Sequence, residues 1–117
     1  MGSTLPSRAW HAGAVEFAFE AELWRWEART DAGWTFVSVP AEASEEIRDL
    51  VAGGTARGFG AVRVEVRVGL TAWRTSVFPD ATRGVYVLPV KRAVRRAQDW
   101  ELGGTATVHL RVLEPDA

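Results

Sequence analysis

Valine alternates with charge in the clearest run of the chain. Val62, Val64, Val66 and Val68 are separated by Arg63, Glu65 and Arg67, the period of a strand with one face in a core and the other in water. Val15, Phe17, Phe19, Ala21 and Leu23 alternate with Glu16, Glu20 and Glu22 in the same way. After Leu23 the pattern changes phase, because Trp24 and Trp26 fall on the face the glutamates held. Either a bulge near Glu22 to Trp24 shifts the register, or these indoles cover the outside of the sheet. Asp31-Ala32-Gly33 supplies turn chemistry, and Trp34 to Val39 form the return strand. Gly69 predicts a tight turn that sends residues 72–78 back antiparallel, with Pro79-Asp80 ending that strand.

Two segments carry helical spacing instead. In residues 41–52, Ala43, Ile47, Leu50 and Val51 share one face while Glu42, Glu45, Glu46 and Asp49 share the other, and Pro40 suits a first helical turn because its missing N–H would have no intrahelical partner there. In residues 90–100, Val90, Ala93, Val94 and Ala97 face the core, and Trp100 and Leu102 fold back onto it. Each helix follows an apolar strand ending in proline and precedes Gly-Gly-Thr (Gly53-Gly54-Thr55, Gly103-Gly104-Thr105) and a second apolar strand. This repeated plan predicts a mostly β domain with two short helices, closed as a double-split β-barrel from two pseudo-symmetric strand-helix-strand halves in one chain. Residues 1–13 lack periodicity and are expected as a disordered tail, 14–114 as a single barrel domain, and 115–117 as a frayed end.

Composition removes several classes of function. A chain of 117 residues with 47% hydrophobic content suits one domain with a modest core. Fourteen basic against fifteen acidic residues give a net charge of -1, so no global field draws the protein to nucleic acid or an anionic membrane. Without cysteine there is no disulfide framework, thiolate metal site or cysteine nucleophile. No apolar run approaches the roughly 18 residues of a membrane span, and no secretion signal is evident, so the expected location is cytoplasmic. The charge that stands out is local. Lys91, Arg92, Arg95 and Arg96 make the second helix cationic where the first is acidic.

The segments Glu22-Leu23-Trp24, Gly33-Trp34-Thr35-Phe36-Val37, Arg57-Gly58-Phe59-Gly60, Trp73-Arg74-Thr75-Ser76-Val77-Phe78-Pro79 and Leu88-Pro89-Val90-Lys91 carry a resemblance. Over residues 19–110 the chain resembles the bacterial domain-of-unknown-function family nineteen-oh-five, whose relatives occur fused to YdeI/OmpD-associated segments. The unit from Val87-Leu88-Pro89-Val90-Lys91 through Gly103 to Val112 is also similar to half of the AbrB and MazE regulator and antitoxin barrels. The resemblance implies the double-split barrel within one polypeptide and attaches no activity to it.

Function divides three ways. The preferred reading is a noncatalytic binding module for an anionic or aromatic small molecule or a protein partner. Arg57 and Phe59 on the glycine loop, Trp73, Arg74 and Ser76 on the hairpin strand, and Tyr86 and Lys91 near the second helix are its candidate ligand residues, since arginine clamps carboxylate or phosphate and rings give a flat apolar wall. Trp73 and Arg74 point to opposite faces of one strand, so a ligand touching both needs a bulge or a strand end. A core role for Trp73 and a pairing of Arg74 with Glu65 or Glu22 are the plainer alternatives. The runner-up is a DNA-associated regulator by analogy with the AbrB and MazE barrels, with Lys91, Arg92, Arg95 and Arg96 as the anion patch. Against it, an acidic first helix breaks two-fold presentation of cations, and a solvated helix face explains the patch as well.

An enzyme ranks third. No phosphate loop, nucleophile elbow or metal-ligand cluster is present, His109 reads as a surface residue, and a Ser76–Lys91 dyad has no recognisable surround. No cofactor, metal or catalytic residue is expected. Trp24 and Trp26 are candidate interface residues for a homodimer or protein partner.

Overall fold

The computed structural model describes residues 15–25, 35–52 and 60–113. Its elements run β1 (Val15–Glu22), β2 (Trp24–Arg25), β3 (Thr35–Ser38), α1 (Ala41–Leu50), β4 (Val62–Val68), β5 (Thr71–Asp80), β6 (Val85–Pro89), α2 (Arg92–Ala97) and β7 (Thr105–Val112). The architecture is mostly β, one seven-stranded antiparallel curled sheet with two short helices. The strand order is β1-β7-β4-β5-β6-β3-β2. Its two ends, β1 and β2, are consecutive pieces of chain separated by Leu23, whose N–H donates to the Gly104 carbonyl at 3.0 Å and whose carbonyl accepts the Gly103 N–H at 2.9 Å.

The alternation read from the sequence sets which face is inside. Val62, Val64, Val66 and Val68 are buried against Phe17, Ala21, Leu23, Val108, Leu110 and Val112 in one core, while Arg63 and Arg67 are exposed. Fully burying a valine stabilises by roughly 1.5–3 kcal/mol. Leu23 continues the inward set, so Trp24 lies on the outer face opposite Phe36, the second of the two alternatives for the phase change. Gly69 sits at φ +60 as the first central residue of a two-residue hairpin between Val68 and Thr71, a conformation that glycine adopts without a steric cost.

Several elements depart from the pattern-based expectation. β5 does not stop at Phe78, because Pro79 and Asp80 remain in the strand and pair with Tyr86 and Val85 of β6. Pairing with β4 has ended at Val77 by then, so among the described residues no strand pairs with Pro79 on that side to miss its N–H. The two prolines also occupy different settings. Pro40 caps α1 from just outside it, accepting the Ser44 N–H at 2.8 Å, whereas Pro89 is the last residue of β6, opposite Phe36. Helix α2 begins at Arg92 because the Val90 N–H is spent on the Thr35 carbonyl at 2.9 Å and Lys91 is still extended. Ala93 and Ala97 are consequently exposed, and Val90 and Val94 alone supply the expected buried face.

Helix α2 ends in a Schellman arrangement. The Trp100 N–H donates to Arg95 O at 2.8 Å and the Asp99 N–H to Arg96 O at 3.3 Å, with Asp99 at φ +52 taking the left-handed position glycine usually fills. This folds Trp100 into the core, where its Nε1–H reaches the Gly104 carbonyl at 2.9 Å, while Leu102 stays half exposed instead of joining it. Around α1, Ala43 and Ile47 are buried as their spacing requires, and so is Ser44. The Ser44 hydroxyl donates to Val39 O at 3.1 Å and accepts the Tyr86 N–H at 3.0 Å. At that rung of the β3–β6 ladder the Val39 N–H meets Tyr86 O directly, so the helix serine relays the reciprocal bond. The tail residues 1–13, the Asp31 turn, the Gly53-Gly54-Thr55 segment and residues 115–117 lie outside the described residues.

Candidate functional site

β5 serves two neighbours in succession, and a cleft opens where it changes from one to the other. It pairs with β4 from Thr71 to Val77 and with β6 from Phe78 to Asp80. Backbone directions follow from bonds on the flanking strands. Arg63 O accepts the Leu113 N–H, so Arg63, Glu65 and Arg67 turn their backbones toward β7, and Val62, Val64, Val66 and Val68 turn theirs toward β5. The partners of those valines (Val77, Thr75, Trp73, Thr71) therefore face β4, and the N–H and C=O groups of Ser76, Arg74 and Ala72 face the other way.

On β6 the bonds of Val90 and Tyr86 to β3 leave Val87, Pro89 and Lys91 facing β5. Continued past Phe78–Val87, the register would pair Ser76 with Pro89 as the next hydrogen-bonded rung, and proline has no N–H to give. The two strands part there and form a wedge.

The wedge has a volume of about 270 Å³ and is lined by Trp73, Arg74 and Thr75 on the β5 wall, Pro89, Val90 and Lys91 on the other, and Thr35 and Phe36 from β3. Arg74 on β5 and Lys91 beyond β6 both line the space, so two cations border it, and no acidic side chain is among the described residues lining it. Arg74 has a carboxylate nearby but is not consumed by it. Glu65 is held closely by Arg111, and Arg74 Nη2 reaches Glu65 Oε1 only at 4.0 Å with its side chain 63% exposed. Thr35 is buried and its hydroxyl donates to Val90 O at 2.7 Å, fixing the floor.

Trp73 is half-buried, packed on the core from the inner face while also lining the wedge. The strand needs neither bulge nor terminus to offer both Trp73 and Arg74, because the wedge exposes its edge.

Of the candidates from the sequence, the structure brings Trp73, Arg74 and Lys91 together. Ser76 lies one rung deeper and its side chain does not line the cleft, and Tyr86 is buried on the other side of β6, above the Ser44 relay. Burial pushes the Tyr86 phenol above its usual value, with the positive charge of Arg48 opposing that rise. Arg57, Phe59 and Trp26 lie outside the described residues.

Lys91, Arg92 and Arg96 are exposed and Arg95 is half-buried, along a helix of 6 residues. Trp24 stacks on Phe36 with centroids 5.3 Å apart, donates its Nε1–H to Ser38 Oγ at 3.1 Å and lies under the Arg83 guanidinium at 3.9 Å. Arg83 is itself tied to Asp80 Oδ2 at 2.8 Å, and Asp80 Oδ1 accepts the Thr82 and Arg83 amides in the β5–β6 turn. His109 is half-buried beside Arg67 on the charged outer face. Pro89 and Thr35 are the residues sequence reasoning passed over, since their part in the wedge depends on partners far away in the chain.

Among the described residues, no group of three or more His, Cys, Asp or Glu side chains could hold a metal ion, and no helix is long and apolar enough to cross a membrane. The fold and cleft define a small β domain with an open, cation-lipped groove in its sheet. The chain belongs to the family described as domain of unknown function (DUF1905), whose model matches residues 19–110. No curated protein is similar enough to the chain to be matched to it.

Proposed function

We propose that this DUF1905 domain is a noncatalytic binding module whose site is the wedge between β5 and β6, with Arg74 and Lys91 as anion-holding residues and Trp73 as the apolar wall. One observation carries the reading: Arg74 and Lys91 border one gap, walled in part by Trp73, Phe36, Pro89 and Val90, with no carboxylate among its described lining residues. Like charges opposite one another are unfavourable, and a carboxylate between them turns the repulsion into two charge-assisted hydrogen bonds.

The test is titration with indole-3-carboxylate, followed by tryptophan indole N–H signals in NMR. The Trp73 signal is expected to shift in the native protein, and the affinity to fall at least tenfold in Arg74→Gln/Lys91→Gln. Equal binding by the double variant, or no shift at Trp73, refutes the site.

We also propose that the curled sheet is the double-split barrel of the sequence expectation. Three features support it. The order of strands begins and ends on one run of chain; β3-α1-β4 and β6-α2-β7 share a plan; and β3 pairs with β6 while β4 pairs with β7. An approximate two-fold through Ser38–Val87 and Val66–Leu110 would exchange the halves, with β5 in the second playing the part of β1 and β2 in the first. An experimental structure in which the two strand-helix-strand units fail to superpose would exclude this.

A further inference from the structure

We propose that the occupant of the wedge is an extended peptide segment of another protein that adds a strand to the free edge of β5 and sets an acidic side chain between Arg74 and Lys91. This rests on the wedge being a binding site, as above, and names its partner.

Three features favour a peptide backbone over a compact small molecule. The first is the row of groups already turned into the gap. Arg74 turns both its N–H and C=O that way, with Ala72 next along the same edge, Pro89 turns a carbonyl and Lys91 an N–H, and among the described residues no strand pairs with them there. Unpaired strand edges of this kind are templates for an incoming strand. The second is shape. The space lies between β5 on one side and Pro89, Val90 and Lys91 on the other, a slot between two stretches of chain and not an enclosed cavity, so it suits a segment that threads it. The third is the order of chemistry across the wall. Side chains alternate between the outer face, where Arg74 and Lys91 sit, and the inner face, where Trp73, Thr75 and Val90 sit.

A peptide residue opposite Arg74 shares its face and lies between the two cations, so it should be Asp or Glu. The residues before and after it turn inward toward Trp73 and Val90, so they should be apolar. The preferred segment therefore reads apolar-acidic-apolar.

The probe is acetyl-Thr-Val-Glu-Val-Thr-amide, titrated into the full chain, with backbone amide exchange and chemical shifts as readouts. Binding is expected to slow exchange of the Arg74 and Ala72 amides at least tenfold, amides that exchange quickly in the free protein. Replacing the peptide Glu by Gln, or Arg74 by Gln in the protein, should weaken binding at least tenfold. Methylating the peptide Glu nitrogen, which removes the donor to Arg74 O and leaves the charge, should do the same. If the methylated peptide binds as well as the parent, strand addition is wrong while carboxylate binding at the wedge survives. If neither this peptide nor indole-3-carboxylate binds, both readings fall. Protection of Arg74 that grows with protein concentration and no peptide would assign the edge to a second copy and overturn the proposal.

Discussion

If the wedge exists because Pro89 cannot donate, restoring that donor should close it. In Pro89→Val the new N–H lies opposite Ser76 O, and the Ser76 N–H opposite the residue-89 carbonyl, extending the β5–β6 ladder by one rung. Each hydrogen bond of this kind adds about 0.5–1.5 kcal/mol, so the two of the new rung add about 1–3 kcal/mol at most. Losing proline's restriction of the unfolded chain costs about 0.4–1 kcal/mol. Bringing Arg74 and Lys91 together costs roughly 0.2–1 kcal/mol more. The gain and the two costs overlap in range, so a denaturation midpoint is a poor report of closure and a residue-level readout is needed. Exchange of the Ser76 amide should slow at least tenfold, and indole-3-carboxylate should bind several-fold more weakly. Adding Lys91→Glu replaces a repulsive rung with an attractive one, so the Arg74 amide should become protected too. Ser76 and Arg74 amides exchanging at native rates in both variants, with binding unchanged in Pro89→Val, would show that something other than the missing N–H holds the strands apart.

Two further substitutions test the supports of the site. Ser44→Ala removes the hydroxyl that relays the Tyr86 N–H to Val39 O and leaves that buried amide without its partner, which costs about 1–3 kcal/mol; urea unfolding should show the loss with an unchanged m-value, and a loss under about 0.5 kcal/mol would mean the strands close the rung directly. For Asp80, burial alone would raise the carboxyl pKa, but the Arg83 side chain and the Arg83 and Thr82 amides together hold it below its ordinary 3.8. A lowered folded value stabilises above the unfolded pKa and is lost as pH falls through the folded one, so the gap between wild type and Asp80→Asn, about 1 kcal/mol at neutral pH given the partly exposed Arg83, should shrink below about pH 4. A gap that stays constant down to about pH 2.5 would count against the turn carboxylate.

The inward faces were legible because their cause is local. The valines from Val62 to Val68, then Val15, Phe17, Ala21 and Leu23 with Phe19 partly buried between them, and Ala43 with Ile47 face inward where a period of two or of 3.6 puts them. Features that depend on which strand lies alongside were not. Pro79 looks like a strand end until β5 is seen to have left β4 at Val77, and Pro89 resembles Pro40 until Val90 is found bonded to Thr35. Ser44 on the apolar face of α1 was the one polar signal available for the relay, and it gains meaning only beside Tyr86. Arg74 and Lys91 are anion-holding candidates in the sequence by residue type alone, and that they border one space follows only from where β5 leaves β6 after Phe78–Val87.

The cationic helix and the wedge compete as explanations for the same charge, and geometry favours the wedge. Lys91 belongs to both, but it precedes α2 in extended conformation and lines the cleft, so its partner across space is Arg74 on β5. Of the three remaining cations, Arg95 is half-buried with its Nε enclosed and without a hydrogen-bond partner, leaving Arg92 and Arg96 exposed. The exposed face of α1 carries Glu42, Glu45 and Asp49, so the two helices present opposite charge. Neutralising several phosphates on a duplex needs cations arrayed along the contact, and this surface alternates in sign between its helices. A single carboxylate needs two donors and an apolar wall, and on the proposed reading Arg74, Lys91 and Trp73 supply them where β5 parts from β6.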